Sequence, residues 1–379
     1  MEGWFLQGAI ILMRILLIVF SVLVAFPISI HAAGDPFVVE TVAGDFDRPW
    51  ALAFLPDGDF LVTERDGVLW RVASDGQTRT AIKGLPRIVA RGQAGLFDIA
   101  LDPDFSQNNR VYIAYAGQGN GGYGTEIARA RLSLSDNILV ETTVLFRALP
   151  KSGSNQHFGG KLLFLPDDTL LLSLGERNDM REAQNKGNHL GAIIRIDRDG
   201  NVPTDNPFVK QSYAKPEIYS YGHRNIQGLA LQPGTGVVFE HEHGPRGGDE
   251  VNIIKPGRNY GWPEITYGLD YTGFKITDRT AAPGMEQPLI HWSPSIAPSG
   301  MAFYDGDLFP EWRGHLLVGA LAGESLRVLE VDGDRIGQQQ TYLKDLGERI
   351  RDVRVGPDGA VYLLTDSAEG RLLRLVPKS

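Results

Sequence analysis

Histidine, arginine, asparagine, aspartate and glutamate crowd one stretch of the chain, YGHRNIQGLALQPGTGVVFEHEHGPRGGDEVNIIKPGRNYGW, from Tyr221 to Trp262. A framework alone does not ask for them. They flank an alternating segment, Gly228 to Phe239, that predicts a strand pair, and loops carry chemistry when a rigid element positions them. Outside this stretch, His157 lies in Gln156-His157-Phe158-Gly159-Gly160, just before an expected strand from Lys161 to Leu165. An imidazole near neutrality suits abstraction of a proton from a hydroxyl, so His157 is the leading general base; the alternative is a turn histidine that bonds the backbone. His223, His241 and His243 cluster like a transition-metal set, but no H-E-x-x-H pattern or cysteine supports zinc, so they read as structural or supporting groups.

Gly244-Pro245 offers adjacent main-chain carbonyls, and Asp249, Glu250, Asn252 and Tyr260 add oxygens. Oxygen-only ligation is what Ca²⁺ prefers, although Asp and Glu beside Gly-Gly also cap turns. Arg224, Arg349 and Arg351 recur at loop ends. A period of two puts Arg349 and Arg351 on one face of a strand, where paired guanidinium forks match a ligand carrying two or three carboxylates; the alternative is a surface ion pair with Asp352 or Glu348.

What must hold these groups is a repeated unit. The segments ALAFLPDGDFLVTERDGVLWRV, DIALDPDFSQNNRVYIAYAG, KLLFLPDDTLLLSLGERND, GLALQPGTGVVFEHEHG, SGMAFYDGDLFPEWRGHLLVGAL and DVRVGPDGAVYLLTDSAEGRLLRL each pair two apolar strands across a Pro-Asp, Gly or Asp-Gly turn. Proline fixes φ at one corner, aspartate bonds the backbone and glycine accepts positive φ, so each reads as a hairpin. The units start near Ala51, Ile99, Leu162, Leu229, Met301 and Val353, roughly 50 to 70 residues apart, far beyond the spacing of sandwich turns. The pattern predicts an all-β, six-bladed β-propeller over residues 34–379. Asp179 to Leu190 is helix-compatible but polar, and reads as an excursion between strands. In a propeller, loops from every blade converge at one end of the channel, where the clusters at Arg91–Gly95, Gln156–Gly160, Gly222–Asn225, His243–Pro245 and Arg349–Asp352 can meet.

With 379 residues, 42% hydrophobic and 22% charged, the chain reads as a globular protein with a large core. A net charge of -9 and the lack of a Lys/Arg-rich run argue against nucleic acid as a partner. Arg14 followed by the apolar run Ile15 to Ile28 and by Ala32-Ala33 has the layout of a secretory signal peptide, so residues 1–33 predict export to the periplasm or medium; kept uncleaved, they form a membrane anchor. The absence of cysteine is compatible with an oxidising compartment.

From about Phe37 to Leu375 the chain resembles the soluble, pyrroloquinoline quinone (PQQ)-dependent sugar dehydrogenases, the aldose sugar dehydrogenase branch of the glucose/sorbosone dehydrogenase-like family. The strings GQAGLFDIALDPDF, GHRNIQGLA, EHGPRGGDEVNIIKPGRNYGWP and RIRDVRVGPDG carry the likeness. The resemblance implies a six-bladed propeller that oxidises the C1 hydroxyl of aldose sugars to lactones and hands electrons to an external acceptor. It implies His157 as base, with Arg224 assisting catalysis. Gln93, Arg224, Asn225, Arg349 and Arg351 fall on contacts to PQQ, and Gln156 and Arg177 on the substrate side. The carbonyls of Gly244 and Pro245 fall on a cofactor-bound Ca²⁺, and Glu250 and Tyr260 on a second, structural calcium site. Ala322 stands where glucose dehydrogenase relatives carry a lysine, and Gln156 where they carry an aspartate, so cofactor affinity and sugar preference do not transfer. A calcium-dependent propeller lactonase or other hydrolase, and a non-enzymatic sugar-binding propeller, are the alternative classes.

Overall fold

A computed structural model of the protein describes residues 34–378, so the expected signal segment or anchor at 1–33 lies outside the described residues. They form six four-stranded antiparallel sheets. The innermost strands are Pro49–Phe54, Leu96–Leu101, Leu162–Phe164, Ile226–Leu231, Pro298–Phe303 and Ile350–Val355, which we number as blades 1 to 6. Each contains one of the six hairpin starts read from the sequence. Neighbouring innermost strands touch around the whole ring, blade 6 against blade 1 included, which makes a six-bladed β-propeller.

Turn chemistry explains the hairpins. In blade 1, Gly58 N donates to Leu55 O at 3.0 Å, with Gly58 at φ 92°. In blade 3 the same corner is taken by Asp168 at φ 65°, one of the few side chains that tolerates that region. The strands read as alternating are in fact buried on both faces: Val238–Glu242 is wholly buried, because blades pack face to face and each inner strand has a neighbour on either side. Asp179–Leu190 is an excursion between strands Leu170–Ser173 and Ala192–Ile196, with a short 3₁₀ turn at Met180–Gln184.

The ring is closed by the chain's first described strand. Phe37–Phe46 pairs antiparallel with Gly370–Pro377 as the outer strand of blade 6. Phe37 is buried against Phe309, Trp312 and Tyr342, and hiding such a ring from water contributes roughly 2–3 kcal/mol to closure.

Along the channel the inner strands exchange charges rather than apolar groups. Lys161 Nζ donates to Asp352 Oδ1 at 2.8 Å and lies 4.5 Å from the Trp50 ring centre. Asp352 Oδ2 accepts from Leu52 N and from Arg354 Nε, and Arg354 reaches Asp98. Blades 1, 2, 3 and 6 are thereby tied together.

Antiparallel order decides which loops meet. The link entering an innermost strand and the loop between a blade's second and third strands leave the sheet at the same end. Arg65, Gln93, His157, Arg177, Arg224, His243, Arg349 and Asp366 all lie on such links or loops.

Candidate functional site

At that end lies a cavity of about 330 Å³, within the range usual for small-molecule sites. Five residues singled out in the sequence, Gln93, Asn225, His243, Arg349 and Arg351, line it together. Four others line it that sequence reasoning passed over: Trp50, Arg65, Gln227 and Asp366. Trp50 and Phe97 (ring centres 5.5 Å apart) and Phe97 and Phe158 (5.6 Å) give it aromatic walls. Three guanidinium groups against one carboxylate leave the walls net positive, which suits a flat, multiply anionic ligand.

The arginines converge by a different route from the one expected. Arg349 precedes its strand, which begins at Ile350, and the register slips between Ile350 and Asp352, so a period of two does not set their direction. Asp366, in the adjoining loop, does. Its Oδ2 accepts from Arg349 Nη2 at 2.8 Å and Arg351 Nη2 at 3.2 Å. Burial works to raise the Asp366 pKa, yet Arg351 and Arg349 together hold it below the usual carboxylate value. Neither surface alternative is realised, for Asp352 serves Lys161 and Arg354, and Glu348 pairs with Arg371.

His157 is buried and adopts φ 54°, in the left-handed region. Its N–H donates to Gln93 Oε1 at 2.9 Å, and a Cβ on Gly175 would sit 2.3 Å from its carbonyl oxygen, so both sides of the peptide are fixed. Nδ1 lies 2.5 Å from Glu176 Oε2, which also accepts from Asn178 N at 2.7 Å. With Nδ1–H directed at a carboxylate, Nε2 is left as the proton acceptor. The next two residues, Phe158 and Gly159, are cavity walls.

Arg224 stands beside the cavity. Nη1 donates to the carbonyls of His243 (3.0 Å) and Gly244 (2.8 Å), and Nη2 to the Tyr271 hydroxyl at 3.4 Å. The expected calcium carbonyl of Gly244 therefore already serves a guanidinium, and its second lone pair is what a cation at Gly244-Pro245 would use. Asp249, grouped with these ligands in the sequence, is consumed by the framework. Its carboxylate accepts from Gly244 N, Ser295 Oγ, Ile296 N and Ala297 N.

Glu250 and Tyr260 border a buried acidic centre. Ligand atoms of His223, Glu240 and Glu242 lie within 4.8 Å of one another. Glu240 Oε1 accepts from Asn252, but Oε2 is buried with no partner among the described residues. Burial first, and then the Glu242 charge, push the Glu240 and Glu250 pKa values well above normal. Unpaired buried carboxylate oxygens of this kind fit a hard, oxygen-seeking cation. His223 is committed to Glu242 and Ser220 and stacks on Tyr260. The Tyr260 hydroxyl donates to Ile253 O and accepts from Lys255 N, so the framework engages its side chain and leaves its main-chain carbonyl as the oxygen more open to ligation.

Two further expectations come out differently. Arg177, placed on the substrate side by resemblance, is buried behind the cavity wall. It donates to the carbonyls of Gln156, Tyr123 and Ser154 and packs 3.7 Å over the Phe158 ring, and burial pulls its pKa down to about 10. It holds the loop that carries His157, whereas Gln156 is exposed. His243, read as structural, bonds Pro298 O through Nε2 at 2.6 Å and also lines the cavity.

The sequence profile of the Glucose / Sorbosone dehydrogenase family matches residues 46–374. The chain is 42% identical over 361 residues to the aldose sugar dehydrogenase YliI of Escherichia coli, covering 94% of this chain and 97% of that one. Its fold superposes on the apo form of the soluble aldose sugar dehydrogenase from Escherichia coli with a TM-score of 0.88 at 42% identity, covering 90% of this chain and all (100%) of that one. It also superposes on the PQQ-bound form of aldose sugar dehydrogenase from Streptomyces coelicolor with a TM-score of 0.75 at 30% identity, covering 90% and 98%. Sequence profile, full-length identity and cavity agree, and the chain belongs to the glucose/sorbosone dehydrogenase family.

Proposed function

We propose that this sugar dehydrogenase is a PQQ-dependent enzyme that oxidises the C1 hydroxyl of aldoses to lactones, with His157 as general base. The observation that carries the reading is the joint wall of Arg65, Arg349 and Arg351 against the single carboxylate of Asp366, beside the His157–Glu176 pair. That wall suits the carboxylates of PQQ, and a relative solved with PQQ supports the same assignment.

When bound, PQQ supplies a carbonyl carbon that accepts hydride, and Ca²⁺ polarises that carbonyl. The rest falls to this chain. Arg349, Arg351 and Arg65 hold the anionic edge of the ligand, and Gln93 and Asn225 bond its rim. His157 Nε2 takes the hydroxyl proton as the C1–H bond breaks. Glu176 keeps Nδ1 protonated and stabilises the imidazolium that forms. Arg224, steadied by the His243 and Gly244 carbonyls, adds positive charge beside the reacting centre. Carbonyl oxygens of Gly244 and Pro245 are the proposed holders of the cofactor's Ca²⁺, and Glu250 with the Tyr260 carbonyl those of a second Ca²⁺. An external acceptor then removes two electrons, and export to the periplasm or medium fits a leader at 1–33.

The test is reconstitution of purified apoprotein with PQQ and Ca²⁺, followed by dye reduction across an aldose panel. Turnover that requires both is expected. Quinone-independent lactone hydrolysis, or no dye reduction with any aldose, would reject the proposal.

A further inference from the structure

We infer that Asp366 is a positioning residue that stands in for a carboxylate of the cofactor: it keeps the arginine pair ordered in the unloaded cavity and limits how tightly the quinone binds. The inference deepens the dehydrogenase reading above and rests on it. The guanidinium edge that matches a carboxylate is already taken. Arg349 turns Nε (3.1 Å) and Nη2 (2.8 Å) toward Asp366 Oδ2, the two-pronged edge with which arginine grips an oxyanion, and Arg351 Nη2 adds a bond of 3.2 Å to the same oxygen. A ligand carboxylate entering the cavity must share these donors with Asp366 or take them from it.

Asp366 does not leave with its loop. Its N–H donates to Arg349 O at 2.8 Å, and the next carbonyl, Ser367 O, accepts from Arg48 N at 2.8 Å, so the main chain is tied to the links into blades 6 and 1. Only rotation of the side chain releases the arginines, and that side chain is 11% exposed. Its negative charge therefore stays in the wall that receives an anion.

The unloaded cavity needs that charge. Arg351 Nε is buried with no partner among the described residues, and Nη1 has only a 3.4 Å contact with Gln227 Oε1. Burial, with the neighbouring Arg349 and Arg65 charges, pulls the Arg351 pKa down, and Asp366 is the anion that counters them. One group thus acts in two directions. Without its charge, three guanidinium groups face one another uncompensated in the empty cavity, yet an anionic ligand meets less repulsion and finds more free donors.

The test titrates apoprotein with PQQ in the presence of Ca²⁺, read by tryptophan fluorescence, and melts the unloaded and the PQQ-saturated protein. Asp366→Asn keeps an acceptor oxygen and should bind PQQ about tenfold more tightly, the size of one charge-assisted bond. Unloaded, the variant should melt below the parent; saturated with PQQ, it should recover part or all of that difference. Asp366→Ser should agree in sign, and Asp366→Glu, which keeps the charge, should not tighten binding. Unchanged or weaker PQQ binding in both neutral variants overturns the inference, as does an unloaded Tm equal to the parent's. A parent protein that does not bind PQQ overturns the dehydrogenase reading beneath it.

Discussion

His157 Nδ1 and Glu176 Oε2 are 2.5 Å apart, although one residue lies on the link into blade 3 and the other on a loop between that blade's second and third strands. The carboxylate fixes the tautomer that leaves Nε2 free. Glu176→Gln keeps the shape but can present an acceptor or a donor to Nδ1, so kcat should fall about ten- to hundredfold. Affinity for PQQ should hardly move, since Glu176 is not a cavity wall. Stopped-flow reduction of the bound quinone and a separate binding titration measure the two. A kcat equal to the unmodified enzyme's would remove Glu176 from the mechanism.

Arg65 and Arg351 come from blades 1 and 6 and line the same cavity. Each charge-assisted bond to a carboxylate is worth about 1.5–3 kcal/mol. Arg351→Ala and Arg65→Ala should therefore each weaken PQQ binding by roughly ten- to a hundredfold. Titration of apoprotein by quenching of tryptophan fluorescence reads this directly, with Trp50 among the walls. Arg65 then supplies a cation that Ala322 does not; full PQQ affinity in Arg65→Ala would sink that assignment.

The architecture was legible in the chain because hairpin chemistry is local: Pro-Asp-Gly at 56–58 and again at 357–359 dictates a turn wherever it occurs. Gln93, Asn225, Arg349 and Arg351 were legible because polar clusters at loop ends stand out from apolar strands. Arg65, Glu176 and Asp366 were not. Each sits in a sequence that looks like an ordinary polar loop, and only the antiparallel order of the blades brings those loops to the same end. The one available signal was position, since each follows a blade's second strand directly or within a few residues. Arg177 shows the opposite relation: it lies beside the loop that carries His157 in space, and its donors point at main-chain carbonyls.

Glu240 Oε2 has no partner among the described residues and lies under the negative charges of Glu242 and Glu250, which a bound cation would offset. Chelation should lower Tm and added Ca²⁺ should restore it; at about a hundred times Kd the ion contributes about 2.7 kcal/mol. Glu240→Gln relieves part of the repulsion, so the chelated variant should melt above the chelated parent and respond less to Ca²⁺. Differential scanning calorimetry with and without chelator decides the matter. A parent Tm indifferent to both chelator and Ca²⁺ would leave no cation at this centre.

Asp352 is buried in the channel with Lys161 on one oxygen and Arg354 and Leu52 N on the other. Burial opposes its ionisation, but Arg354 and Lys161 prevail and hold its pKa below the ordinary 3.8. A carboxylate depressed in the folded state contributes stability that is present above its unfolded pKa and is lost as pH falls through the folded one. Asp352→Asn strands two cations, a loss of about 3–5 kcal/mol at neutral pH. The gap in Tm between parent and variant should then begin to narrow as pH drops below about 4, where the aspartate of the unfolded parent takes up its proton, and go on narrowing as pH falls through the lower folded value. Thermal melts across that range test the sign. A gap that stays constant into strong acid would mean that Asp352 acts through packing, and the four blades it joins would need another explanation for their cohesion.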